Sequence, residues 1–150
     1  MVIDVEILAK LGGALVLSLP MALNRELTQR AAGLRTFTLV TVTSCGFLLV
    51  GFRFLDDQES NARLMQGLIG GLGFLGGGAI LKSNGSVNGM ATAAGIWSAG
   101  AIGMAAAYSA WEVGIVLSAL NFLTLHYGKS VKNAVGNNGD DDDDERPEVD

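Results

Sequence analysis

Residues 67–81 read GLIGGLGFLGGGAIL, seven glycines in fifteen positions with Leu, Ile, Phe and Ala between them and no charge. In water such a helix or strand is penalised, because each interior glycine costs ~0.5–1 kcal/mol relative to alanine. A bilayer changes the balance. Backbone groups there have to satisfy one another, which holds an apolar run helical, and small residues let neighbouring helices approach closely. The segment therefore reads as a membrane helix within a tightly packed bundle. Gly71, Gly73 and Gly76 also match the G-x-G-x-x-G spacing of dinucleotide-binding folds. That site needs a preceding strand and an acidic residue about 20 positions later. No Asp or Glu lies between Arg63 and Trp111, and this reading is set aside.

The rest of the chain fits the same solvent. Apolar residues make up 49% of the 150 and charged residues 17%, which predicts an all-α, polytopic transmembrane bundle in one domain over residues 1–135. Five spans are expected, at Val5–Leu23, Phe37–Phe54, Leu64–Leu81, Met90–Tyr108 and Trp111–Tyr127. A four-span arrangement, with the last helix lying at the surface, stays open. Arg25, Arg30, Arg35, Lys82, Lys129 and Lys132 fall on one side of the membrane. Lys10, Arg53 and Arg63 fall on the other, the last two beside Asp56, Asp57 and Glu59. The positive-inside rule then puts the N-terminus outside and the C-terminus in the cytoplasm of a cell-membrane protein. No cleavable signal is expected, since Asp4 and Glu6 stand where positive charge would be needed.

Small residues mark expected crossings. Gly67 with Gly71, and Gly73 with Gly77, are four apart on the third span, and Ala91, Gly95, Ala99 and Gly103 line the fourth. The two stripes are expected to face each other, or another subunit. The connection 83–89, SNGSVNG, is polar and Gly-rich and reads as a tight turn between antiparallel helices. From Gly136 the chain reads GNNGDDDDDERPEVD, with eight of the fifteen acids in the last eleven residues. Residues 136–150 thus read as a disordered, solvated tail whose charge serves solubility, cation scavenging or a basic partner.

No catalytic set is visible. The lone Cys45 lies in an apolar run and reads as a small buried hydrophobe, and the lone His126 reads as an interfacial imidazole with no special role. No metal-ligand spacing, cofactor or nucleic-acid partner is called for. Polar groups gather at one face, where Asn24, Arg25 and Glu26 end the first span and Arg35 and Thr36 open the second. Either they anchor the protein by charge, with a local Arg–Glu pair, or they form a partly buried site for a ligand, ion or partner. Arg35 is expected within reach of Glu26. Thr92, Asn121 and Thr124 are further polar positions, read first as interhelical hydrogen bonds.

Three stretches resemble a known family. Arg25-Glu26 followed by Ala32-Gly33-Leu34-Arg35-Thr36-Phe37-Thr38-Leu39-Val40, the run 71–80 (GLGFLGGGAI) and the run 89–97 (GMATAAGIW) are similar, in order, to motifs of the MgtC/SapB membrane proteins. The resemblance implies a five-span domain, a link to magnesium limitation, inhibition of the membrane ATP synthase, and virulence in pathogenic members. It implies a regulatory rather than a transport role. The family's glutamate at the end of the first span falls on Asn24, which puts an ion site dependent on that carboxylate in question. Phe37 and Ala91 also depart from the pattern, and the ACT-like domain of many members is replaced here by the acidic tail. The expected function is a non-enzymatic regulator of magnesium or membrane-energy homeostasis that touches a membrane ATPase, an ATP synthase subunit or a second copy. The alternative is a magnesium or cation transporter. Carboxylates inside spans usually mark such a path, and between Lys10 and Arg53 the only acid is Glu26.

Overall fold

The computed structural model describes residues 4–28, 32–83 and 86–136. Five helices follow one another: α1 Val5–Leu27, α2 Leu34–Phe54, α3 Gln58–Gly78, α4 Met90–Ala107 and α5 Trp111–Gly136. Between α3 and α4 lies a short antiparallel ribbon, β1 Leu81–Ser83 and β2 Ser86–Asn88, with Leu81 opposite Asn88 and Ser83 opposite Ser86. The protein is an all-α membrane bundle. By length and composition α1, α2 and α4 are able to cross a membrane. Residues 137–150, which hold the acidic run, and Arg30 lie outside the described residues.

The helix ends follow local chemistry. Asp4 caps α1 by accepting from the Glu6 N–H at 3.3 Å, and Glu6 pairs with Lys10 one turn on at 2.8 Å. Pro20 has no N–H for the Val16 carbonyl inside α1. The neighbouring Leu17 carbonyl accepts from Ser118 Oγ of α5 at 2.6 Å, a side-chain bond of the kind that makes proline tolerable in membrane helices. Asp57 caps α3 by accepting from the Ser60 N–H at 2.7 Å, so α3 starts two turns ahead of the apolar run from Leu64. The α4 C-terminus closes with Ser109 at φ 58 and bonds from Ser109 N to Ala106 O and Ala110 N to Ala105 O, a Schellman arrangement.

The ribbon corrects the expected tight turn at 83–89. Its alternation of polar residues around Asn84-Gly85 is a hairpin signature, and the strands carry the chain back to α4. Gly89 follows with φ 90, and a Cβ there would overlap the Ala79 carbonyl, so glycine is required.

Ten of the 18 residues of α4 are buried, against two of the 21 of α3. The fourth helix is the axis of the bundle and the third lies at its rim. Two apolar cores stack along α4. Met21, Ala22, Phe37, Ile96 and Ala99 form one at the α1–α2 end, and Ala14, Cys45, Leu48, Ala106 and Ala107 form the other. Phe52 and Tyr108 meet edge to face at 4.8 Å and tie α2 to α4 at the far end.

The small-residue stripes pair differently from expectation. Gly103 of α4 lies directly against the Thr41 carbonyl of α2, and a Cβ at Gly95 would sit 3.0 Å from Phe37 Cε1. Thus the α4 stripe receives α2, whose bulkier residues need the space. The α3–α4 contact uses Gly76, where an added Cβ would sit 3.2 Å from the Ala93 carbonyl oxygen, and Leu72, which packs onto Gly100. Gly67, Gly71, Gly73 and Gly77 have open space beside them, so no crossing among the described residues uses them.

Candidate functional site

Two of the polar residues that end α1, Asn24 and Arg25, turn inward rather than towards solvent. Arg25 is 6% exposed, Asn24 8% and Thr92 7%. The Arg25 guanidinium donates through Nη2 to Thr92 Oγ1 on the first turn of α4, joining segments far apart in sequence. Such a charge-assisted bond away from water is worth about 1.5–3 kcal/mol. Asn24 faces the opposite way, with Nδ2 2.9 Å from His126 Nδ1 on α5. The Asn24 amide N–H donates and the ring nitrogen accepts. Phe122 stacks on the same imidazole at 5.4 Å and Tyr127 meets its edge at 4.7 Å. Two successive residues of α1 therefore clamp α4 and α5.

Glu26, the third member, works at the backbone. Its Oε2 accepts from the Leu34 N–H at 2.8 Å and caps α2 across the connection. Gly33, the N-cap residue, lies so close to this carboxylate that a Cβ would overlap it. The expected Arg35–Glu26 contact is absent among the described residues, and Arg35 is exposed. The carboxylate is already committed to the α2 N-terminus, and the Arg35 side chain leaves the bundle. Thr36 is half-buried and makes no hydrogen bond among the described residues. It lines, with Thr92, a cavity of about 350 Å³ bounded by Ala32, Val40, Leu75, Gly78, Ala79, Leu81 and Ile96.

The fold thus gathers Asn24, Arg25, Glu26 and Thr92 around one end of α1, places Thr36 beside them and leaves Arg35 outside. His126 belongs to the cluster and was read from sequence as an interfacial group without a role. Its only sequence signal was its position at the same membrane face as Asn24, since nothing in α5 itself names a partner 102 residues away. Asn121 bonds within its own helix, to the Leu117 carbonyl at 2.7 Å. Among the described residues no group of three His, Cys, Asp or Glu side chains is placed to hold a metal ion. The cluster offers hydrogen-bond donors around a buried cation, which suits binding and helix registration.

Residues 11–134 match the MgtC family. The chain is 37% identical to the protein SrpB of Synechococcus elongatus over 132 residues, covering 79% of this chain and 70% of that protein. It is 37% identical to SapB of Bacillus subtilis over 111 residues, 69% of this chain and 48% of the relative. It is 36% identical to MgtC of Brucella abortus over 96 residues, 64% of this chain and 40% of the relative. The chain therefore spans about half or less of the length of SapB and MgtC. No solved structure matches it. With a family match over most of its length and an all-α bundle in which three helices, α1, α2 and α4, are long and apolar enough to cross a bilayer, the chain is a membrane protein of the MgtC family.

Proposed function

We propose that the protein is a non-enzymatic, multi-pass protein of the cell membrane that regulates magnesium or membrane-energy homeostasis through helix contacts with a larger membrane complex. The observation that carries this reading is the outer face of α3. An apolar groove of about 630 Å³ between α2 and α3 is lined by Leu39, Phe47, Gly67, Gly71 and Leu75, and among the described residues no atom fills the space beside the glycines. Glycines gain little from lipid contact but allow a partner helix to approach closely. The name MgtC among the relatives supports the magnesium connection, and the names SrpB, SapB and MgtC designate no enzymatic activity. The family resemblance suggests a membrane ATPase or ATP synthase subunit as partner, with a second copy of the chain as the other occupant. The basic residues at the α1–α2 end support a cytoplasmic C-terminus.

Gly71→Leu tests the reading. Open space at Gly71 lets the bundle fold, while the leucine blocks the groove. The variant is expected to insert and melt like the parent yet fail to support growth of its host in low magnesium. A Gly71→Leu protein with full activity would show that the groove meets lipid only.

A further inference from the structure

The cavity at the α1–α2 end has a composition that the regulator reading does not use. Most of its wall is apolar, from Val40, Leu75, Ala79 and Ile96, but Thr36 and Thr92 bring two hydroxyl-bearing side chains to it from different helices. Thr92 is buried and receives the Arg25 Nη2 donor on its Oγ1. A hydroxyl has one proton to give as well as lone pairs to accept with. Because its oxygen is held by a cation, its own O–H is polarised towards an acceptor, and hydrogen bonds in such chains strengthen one another. No other hydrogen bond to Thr92 or Thr36 occurs among the described residues, so both hydroxyl protons are available.

Positive charge stands behind the Thr92 wall. Arg25 is buried directly behind Thr92, and Arg35 is exposed one residue before Thr36. The Glu26 carboxylate keeps its charge and directs Oε2 at the Leu34 N–H, at the α2 N-terminus. Thr92 also lies in the first turn of α4, where the helix dipole adds partial positive charge. An anionic oxygen meets two O–H donors backed by a buried cation.

We propose that this cavity seats a phosphate group, with its oxygens at Thr36 and Thr92 and the positive charge of Arg25 behind them. The apolar remainder fits the chain of a phospholipid, although free phosphate shares the recognised chemistry. The seat is independent of the α2–α3 groove, so failure of one leaves the other standing.

The test uses the purified full chain in a neutral detergent, with bound lipid counted by native mass spectrometry. The probes are dioleoyl phosphatidylglycerol, a dioleoyl glucosyl diacylglycerol with the same acyl chains and no phosphate, and inorganic phosphate. Phosphatidylglycerol is expected to be retained about tenfold better than the phosphate-free lipid, in keeping with a hydrogen bond to a charged group. Thr92→Val and Thr36→Val should each remove most of that preference. Thr36 makes no hydrogen bond among the described residues, so it carries the result if Thr92→Val does not fold. Displacement of the lipid by millimolar inorganic phosphate would assign the seat to a soluble phosphate, and no displacement would assign it to the lipid head group; both support the seat. Equal retention of the two lipids, or an unaltered preference in Thr36→Val, would overturn it.

Discussion

Arg25 and Arg35 carry the same charge and flank the same connection, yet the fold treats them oppositely. Arg25 is buried against Thr92, whereas Arg35 is exposed. Lysine lacks the planar fork that lets guanidinium bond sideways in a confined space. Arg25→Lys is therefore expected to destabilise the bundle by about 2 kcal/mol, and Arg35→Lys to stay within about 0.5 kcal/mol, both read from unfolding of the purified protein in detergent. Equal effects would mean that charge alone, and not the Thr92 bond, fixes this end of α1. In sequence the two arginines look alike, and Arg35 sits in the more characteristic motif. Which one turns inward depends on α4 arriving beside α1, a tertiary fact that no local pattern encodes. Asn24–His126 is of the same kind, and Glu26 was recognised as a member of the cluster with its partner misassigned.

Elements were more legible than contacts. The five expected apolar runs each became a helix, because hydropathy and length act locally. Boundaries moved where polar chemistry took over, as at Asp57, whose cap extends α3 through Gln58–Arg63. Hydrogen bonds from the Ser60 side chain, and then from the Ser60 backbone N–H, hold the Asp57 carboxyl below its usual range. A folded value below the unfolded one, about 3.9, means that the cap stabilises above the unfolded value and is lost as pH falls through the folded one. Exchange of the Ser60 amide, corrected for intrinsic rate, is expected to quicken as pH drops below that range, and Asp57→Asn should abolish the dependence. The glycine stripes were visible, but spacing alone does not say which helix fills them. Gly103→Ala would drive a methyl into the Thr41 carbonyl and should cost about 1–3 kcal/mol. Gly73→Ala meets open space and should be neutral or stabilising by up to ~1 kcal/mol. A Gly73→Ala variant that melts lower than Gly103→Ala would reverse the packing described for α3 and α4.

Across the whole molecule, large apolar side chains point outward on every side. Leu39, Phe47, Phe74, Trp97, Ile115 and Leu120 are all more than half exposed, an arrangement that only a bilayer or a partner makes stable. Polar side chains from α1, α4 and α5 close on one another at one end. The acids at Asp56, Asp57, Glu59 and Glu112 stand at helix starts or in connections rather than inside the apolar runs. A path for a divalent cation usually needs carboxylates facing a midplane cavity. The function proposed above has this bundle bind and regulate rather than conduct. Ion flux into liposomes holding the purified full chain alone tests it most directly. Magnesium entry is expected to match that of protein-free liposomes under both a concentration gradient and an imposed membrane potential. Magnesium uptake that depends on the protein, saturates with concentration and falls in Arg25→Lys would contradict it.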